Sequence, residues 1–255
     1  MVEKSFEKVG REAFYQMTGN QFMELNTVFQ LLALQQQRPE LLQRAHTLLL
    51  MPDLFNFFLT GQKVTEYTIA TTTQMLDARD RDWSRPLLEK LGLPTHFLTR
   101  IVPPGTVIGR LQPSLCEELQ LPPIPVTVVA GHDTQCASAA VPAEEGDFLF
   151  ISCGTWALMG TELTDPIINE QSFACNLTNE GGVAGTYNFM KNIVGLWLIQ
   201  ESRRQWLREG VAPEQCTYAA LEQAALSAPP FVSFIDPDAP QFGRPGDLPG
   251  QVRAF

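Results

Sequence analysis

Two short apolar segments of this sequence each end in residues that could carry out chemistry. Residues 126–130 form a run rich in β-branched side chains, and a glycine, His132 and Asp133 follow it. Residues 148–151 form a second apolar run, followed by the Ser-Cys-Gly-Thr segment 152–155. Open α/β sheets bind ligands where buried strands give way to turns at their carboxyl ends. The pattern therefore predicts a site formed by these two strand ends.

Asp133 is the carboxylate best placed for general-base chemistry, because it directly follows a predicted buried strand. A carboxylate there can accept the proton of a hydroxyl that attacks phosphorus, or orient that hydroxyl. The same side chain could instead cap the following helix by accepting from the amides of Thr134 and Gln135. His132 could bind a sugar hydroxyl or be a histidine satisfied within its own turn. The local sequence leaves these alternatives open.

The segment 152–155 offers hydroxyls and turn amides that could hold phosphate oxygens. It lacks the GxxxxGK[ST] pattern of a P-loop, so a plain hairpin turn explains it equally well. A thiol hydrolase would need Cys153 as nucleophile beside His132, but nothing nearby supplies the usual activation of the thiol. The hydroxyl run 71–73 could line a polar pocket or begin a capped helix.

Short helices and strands must position these residues, and their mixture indicates an α/β protein. Asn26 is placed to cap the first strongly periodic helix. Pro142 and Gly146 mark segment 142–146 as the predicted domain boundary. Strands are predicted at 126–130, 148–151 and 157–162. Helices are predicted at 28–37, 40–50, 54–60, 87–91, 114–120, 137–141, 189–207 and 217–226, a solvated turn at 77–82, and no element in 231–255.

Composition narrows the class of protein. Of 255 residues, 44% are hydrophobic and 18% charged, and the net charge is −10, which argues against broad binding to nucleic acid or anionic membranes. No apolar run reaches the length of a membrane span, and the first residues lack an apolar signal core. The five cysteines form no CxxC pair, which predicts a reducing, cytoplasmic compartment and no metal site.

Six segments together resemble the FGGY family of sugar kinases, and within it the members that phosphorylate L-rhamnulose. In chain order they are TGNQFMELNTVFQL, LLMPDLFNFFLTG, EYTIATTTQMLD, VVAGHDTQCASAAVPA, FISCGTWALMGTE and NLTNEGGVAGTYNFMKNIVGLWLIQES. The resemblance implies an α/β fold of the actin-like, ribonuclease-H-like two-domain kinase type. Family members are roughly twice this length, so the fold is expected to be incomplete at both ends. Residues 1–141 would be the second part of the N-terminal domain, and 142–255 the first part of the C-terminal domain.

The resemblance also assigns roles to individual residues. Asp133 falls on the catalytic base and His132 on a sugar contact, so both would bind substrate. Thr155, Asn192 and Gln200 fall on ATP contacts. The implied reaction transfers the γ-phosphoryl group of ATP to the C1 hydroxyl of L-rhamnulose, with Mg²⁺ bridging the phosphates.

Two alternatives remain beside this interpretation. The substrate could be another ketose such as L-fuculose, or the chain could be a non-catalytic module that binds sugar or nucleotide. The family's first phosphate hairpin and its later adenine-binding segment do not match any part of this sequence. We therefore expect little or no kinase activity from this chain alone.

Overall fold

The computed structural model describes residues 1–143 and 148–255, and the chain separates into two compact units. The first unit comprises Met1–Phe150 and Gly160–Lys191, and the second comprises Ile151–Met159 and Asn192–Phe255. Residues 144–146 of the predicted boundary segment lie outside the described residues. The division into domains 1–141 and 142–255 therefore stays a prediction.

Ten helices occur among the described residues of the first unit. Helix α3 buries Val28, Phe29, Leu31 and Leu32, the spacing of one helical face, against Phe14 and the leucines of α7. This cluster forms the main core of the unit. The helices are α1 Val2–Val9, α2 Arg11–Thr18, α3 Thr27–Gln37, α4 Pro39–Arg44, α5 Met51–Thr60, α6 Tyr67–Thr71, α7 Arg85–Leu91, α8 Pro113–Leu119, α9 Asp133–Ala139 and α10 Glu170–Ala174.

The strands preceding residue 144 form three short pairs. Strand β1 Thr65–Glu66 lies parallel to β4 Ile101–Val102, and β2 Leu76–Asp77 is antiparallel to β3 Asp82–Trp83. Strand β5 Val107–Arg110 is antiparallel to β6 Pro125–Thr127, with a register shift between Val107 and Gly109. The β1–β4 and β5–β6 pairs surround a second, smaller core of Val64, Val102, Ile108 and Val128.

A four-stranded sheet follows, in the order β7–β8–β10–β9. Its strands are β7 Phe150–Cys153, β8 Trp156–Leu163, β9 Thr178–Gly181 and β10 Tyr187–Val194. Strands β9 and β10 are antiparallel, and Glu180 lies opposite Asn188. This register places two buried polar side chains next to each other in the first unit.

The second unit contains three helices among its described residues. They are α11 Trp197–Arg208, α12 Tyr218–Ser227 and α13 Leu248–Ala254, with 3₁₀ turns at Pro213–Cys216 and Pro240–Gly243. Its core consists of Ala239, Phe242 and Leu248, with Leu198 packed against them. In the described part of the chain, no helix combines the length and the apolar character needed to cross a bilayer.

Several predicted elements are wrong in type or extent. The helix predicted for 189–207 is a strand up to Val194 and a helix only from Trp197, because residues 187–190 pair with β9. The tail predicted to lack elements contains α13. The helix predicted for 40–50 ends at Arg44. Asn26 precedes α3 but caps nothing, because its side-chain amide donates to Gln21 O and Gln74 Oε1.

Candidate functional site

The turn that carries His132 and Asp133 is fixed by hydrogen bonds to the start of helix α6. The backbone N–H of Gly131 donates to Glu66 Oε2 at 2.8 Å, and that of His132 donates to Thr68 Oγ1 at 3.2 Å. A Cβ atom on Gly131 would lie 3.1 Å from the same Glu66 oxygen and 3.0 Å from Ile69. A side chain at position 131 would therefore force these neighbours to shift by a few tenths of an ångström, so glycine suits this close approach.

Glu66 is a fully buried carboxylate that joins α6 to this turn. Its Oε1 accepts from Thr68 N at 2.8 Å, and its Oε2 accepts from Ile69 N at 3.0 Å and Thr68 Oγ1 at 2.6 Å. These bonds satisfy the free amides at the helix N-terminus, as an acidic cap does. The bond from Gly131 uses the same carboxylate, so the helix cap and the turn share one acceptor.

Asp53 forms a hydrogen bond with the backbone of Glu66. Its Oδ1 accepts from the backbone N–H of Glu66 at 2.9 Å, while its Oδ2 has no hydrogen-bond partner among the described residues. Burial raises the pKa of Asp53 to about 7, although backbone hydrogen bonds from Glu66 and Leu50 oppose the shift.

Asp133 is the first residue of α9, and its side chain is 99% exposed. Its Oδ1 accepts from the backbone N–H of Thr134 at 2.8 Å, whereas the amide of Gln135 bonds to His132 O. The carboxylate therefore makes only one of the two helix-capping bonds considered for it. It stays open to a molecule that approaches from solvent.

His132 lies between two carboxylates of the first unit. Its Nδ1 is 3.1 Å from Glu180 Oε2, and its Nε2 is 3.9 Å from Asp133 Oδ1. Burial lowers the pKa of His132, but the hydrogen bond to Glu180 and the charges of Glu180, Asp133 and Glu66 outweigh it, so the net direction is upward. The ring is held more strongly than an ordinary turn histidine.

Two buried amide side chains, those of Gln135 and Asn188, form a hydrogen-bonded series beside His132. Gln135 is fully buried, with Nε2 at 3.4 Å from His132 Nδ1, and its Oε1 accepts from Asn188 Nδ2. Asn188 Oδ1 in turn accepts from Ser138 Oγ at 3.1 Å. These contacts connect α9 to β10 and limit rotation of the groups around the ring.

The other strand-end turn belongs to the second unit and contacts the start of α11. Leu196 N donates to Gly154 O at 3.0 Å, and Trp197 N donates to Thr155 O at 3.1 Å. Gln200 Nε2 lies 3.5 Å from Thr155 Oγ1, so two predicted ATP contacts meet at this turn. The third, Asn192, lies on β10 in the same unit.

A cavity of about 290 Å³ opens beside this turn. Thr155, Trp156, Val194, Trp197 and Gly243 line it. A hydroxyl on an otherwise largely apolar wall is the kind of surface that binds a small polar ligand. The hairpin alternative for 152–155 is also realised, because Gly154 N donates to Trp156 O at 2.7 Å.

The hydroxyl run 71–73 lies at the end of a helix and does not begin one. Thr71, Thr72 and Thr73 donate to the carbonyls of residues 68, 69 and 70, so they close the end of α6. Thr71 Oγ1 also accepts from Gly181 N at 3.1 Å, which ties β9 to this helix.

The sequence interpretation assigned no role to Glu66, Glu180 and Gln135, the residues that surround His132. Glu66 carries a local signal, since acidic residues are favoured at the N-terminus of a helix. Glu180 and Gln135 carry none, because their contact with His132 depends on the β9–β10 register and on where α9 packs.

Comparison with known proteins identifies relatives along the whole chain. Residues 1–140 match the N-terminal domain of the FGGY family of carbohydrate kinases, and residues 149–255 match the C-terminal domain of that family. A rhamnulokinase of Oceanobacillus iheyensis is 40% identical over 255 residues, which is 100% of this chain and 52% of the relative. A rhamnulokinase of Bacteroides thetaiotaomicron is 40% identical over 253 residues, covering 99% of this chain and 51% of the relative. The chain thus spans about half the length of the curated relatives it matches.

A solved structure agrees with this match at the level of the fold. The ligand-bound xylulose kinase from Lactobacillus acidophilus superposes with a TM-score of 0.74 at 20% identity, over 89% of this chain and 45% of that one. The actin-like, ribonuclease-H-like kinase fold predicted from the sequence is therefore confirmed.

Proposed function

The chain belongs to the FGGY family of carbohydrate kinases, and from that premise we propose that it is part of an ATP-dependent kinase that phosphorylates L-rhamnulose at C1. The observation that carries the proposal is the exposed Asp133 carboxylate at the start of α9, beside His132, in a turn that is hydrogen-bonded to Glu66. The 40% identity to two rhamnulokinases over nearly the whole chain favours L-rhamnulose among ketoses. L-fuculose remains the alternative sugar, because it presents a similar primary hydroxyl.

Asp133 would accept the proton of the sugar hydroxyl as that oxygen attacks phosphorus. The turn below it cannot move easily, because Gly131 and His132 are both bonded to the start of α6. A base held in this way needs little free energy to reach its reacting position when the sugar binds. A positioned general base typically contributes about 10²–10⁴-fold in rate. His132 would bind an oxygen next to the reacting hydroxyl.

ATP would be held in the second unit. Thr155 supplies a hydroxyl at the turn, Gln200 and Asn192 supply amide donors, and the adjacent cavity of about 290 Å³ offers apolar surface. Hydroxyl and amide groups suit nucleotide oxygens, so the residues present fit the substrate.

We propose that a divalent ion arrives with the nucleotide. Within residues 1–143 and 148–255, no group of three or more His, Cys, Asp or Glu side chains could hold a metal ion. Mg²⁺ often takes its ligands from substrate phosphates and water, with few from protein. When bound, it would neutralise charge on the transferring phosphates.

The test replaces the matching half of the Oceanobacillus iheyensis rhamnulokinase with this chain and measures ATP-dependent phosphorylation of L-rhamnulose. We expect turnover, and a loss of at least 100-fold in kcat in the Asp133→Asn variant. Asp80→Asn, in the exposed turn between β2 and β3, is the matched control. Full activity of a folded Asp133→Asn chimaera would refute the role of Asp133.

Calorimetry on the 255-residue chain separates the kinase from a binding module. Binding of L-rhamnulose and ATP by the chain, together with a folded chimaera that never turns over, would favour the non-catalytic alternative. Turnover of L-fuculose at a higher kcat/KM than L-rhamnulose would change the assigned sugar but not the chemistry.

A further inference from the structure

We infer that Glu180 is a positioning residue, which fixes the tautomer and orientation of His132 so that Nε2 faces Asp133. The inference rests on the proposed function, because it concerns how the sugar-binding histidine is prepared. It adds a residue from β9, a segment distant in sequence from the turn that carries His132 and Asp133.

The contact geometry decides which ring nitrogen carries hydrogen. Glu180 is 6% exposed, and its Oε2 lies 3.1 Å from His132 Nδ1. This buried oxygen forms no other hydrogen bond among the described residues, and a carboxylate only accepts, so an ion pair with the ring requires hydrogen on Nδ1. Gln135 Nε2 lies 3.4 Å from the same nitrogen and can only donate, so it would favour the opposite tautomer, but its contact is the longer of the two. Nε2 is then the atom left for a ligand.

Both partners of this ion pair are anchored to the same helix. His132 N donates to Thr68 Oγ1 at 3.2 Å, and Gly181 N, next to Glu180, donates to Thr71 Oγ1 at 3.1 Å. Thr68 and Thr71 both belong to α6. The distance between ring and carboxylate is therefore set by α6 and not by the His132 turn and strand β9 alone.

Three carboxylates face the ring from the elements packed against it. They are Glu180 from β9, Asp133 from α9 and Glu66 from the start of α6. All three favour the imidazolium form, and burial opposes it. In that form Nε2 also carries hydrogen, so His132 would donate to an oxygen of the sugar while Asp133 accepts from the neighbouring hydroxyl.

The distance between His132 Nε2 and Asp133 Oδ1 suits contacts with two oxygens of a sugar. Nε2 and Asp133 Oδ1 are 3.9 Å apart, and a hydrogen bond to oxygen spans about 2.8 Å. Two groups at that separation can contact one hydroxyl or two oxygens on adjacent carbons. A ketose phosphorylated at C1 presents such a pair, with the reacting hydroxyl at C1 and an oxygen at C2.

The experiment uses ¹⁵N NMR of histidine side chains in the 255-residue chain, which contains only three histidines, His46, His96 and His132. The His132→Gln variant assigns the signal. In the wild type we expect His132 to titrate above its ordinary pKa and to hold hydrogen on Nδ1 when neutral. Glu180→Gln should lower the pKa of His132 and leave His46 and His96 unchanged. Glu162→Gln, which removes another partly buried glutamate of the first unit, should change none of the three.

A neutral wild-type ring with hydrogen on Nε2 would overturn the inference without any variant. An unchanged His132 titration in folded Glu180→Gln would overturn it as well. L-rhamnulose binding, measured by calorimetry on the same samples, should weaken about tenfold or more in Glu180→Gln, as expected for a lost charged hydrogen bond. If the wild type binds no ketose, the proposed substrate fails, while the NMR result still decides the role of Glu180.

Discussion

Replacing Asp53 with asparagine should change how the stability of this protein depends on pH. Asp53 is 1% exposed, and one of its carboxylate oxygens has no hydrogen-bond partner among the described residues. Burial raises its pKa from 3.8 to about 7. Between these values the folded chain holds a proton that the unfolded chain releases, so folding becomes less favourable as pH rises from 4 to 7.

The size of the effect follows from the shift. Each pKa unit corresponds to 1.36 kcal/mol, so a shift of about three units costs up to about 4 kcal/mol above pH 7. The asparagine oxygen can still accept from the N–H of Glu66, and the uncharged amide has no such pH dependence. The variant should be close to the wild type or less stable near pH 4, because its amide N–H₂ finds no ready acceptor. It should gain relative stability up to pH 8.

The assay is urea unfolding of the wild type and Asp53→Asn at pH 4, 6 and 8. Only the difference between the two proteins is interpreted, so that the titration of other carboxylates cancels. Asp80→Asn, on an exposed turn, should show no pH-dependent difference. A difference for Asp53→Asn that is constant across this range would refute the reasoning, and would mean that Asp53 has the same pKa in the folded and the unfolded chain.

Three further substitutions test other parts of the structure. Glu66→Gln places an N–H₂ group against amides that donate to the carboxylate, so it should cost about 2–4 kcal/mol in unfolding free energy and increase hydrogen exchange at Gly131. Gly160→Ala should destabilise by several kcal/mol or prevent folding, because a Cβ there would meet Met190 and lie 2.6 Å from a carbonyl of β10; circular dichroism and urea unfolding measure this. Thr217→Ala removes the cap whose hydroxyl accepts from Ala220 N at 3.2 Å, at a cost of about 1 kcal/mol, read as a drop in Tm, whereas Thr217→Ser should keep most of it.

The contribution of His132 to folding stability also decreases as pH rises, but for a different reason than that of Asp53. Its raised pKa stabilises the folded state fully below about pH 6.5, and this contribution disappears as pH rises through the folded pKa. Glu180→Gln should therefore destabilise most at low pH and least at high pH. A pH-independent loss in urea unfolding would mean that Glu180 acts by packing alone.

The parts of the fold that follow from local pattern could be predicted from the sequence. The 152–155 turn and the helices near 28–37, 87–91 and 217–226 depend on apolar spacing and turn residues close by in the chain. The strand predicted for 126–130 was too long, because β6 ends at Thr127, so His132 and Asp133 do not directly follow a strand. The segment 189–194 could not be predicted, because apolar residues there suit a helix locally, and only pairing with β9 makes them a strand. The resemblance supplied the expected roles of Asp133, Thr155, Asn192 and Gln200, which remain predictions.

The environment of His132 depended on long-range contacts and was missed for that reason. Glu180 contacts the ring only because β9 pairs with β10 in one register, and a shift of one residue would turn its side chain to the other face. The contact between Asp53 and Glu66 also could not be predicted from the sequence. It forms because the N-terminus of α5 packs beside the two-residue strand β1.

The five-residue helix α6 links the two residues of the histidine–glutamate pair. Its two threonines hold the backbone on either side of the histidine–glutamate pair, so a displacement of α6 carries both partners as one body. The internal spacing of the pair then depends on the geometry of one short helix and not on two separate parts of the chain. Under the proposed function, this shared anchor would present the histidine and its carboxylate to the sugar as a single unit.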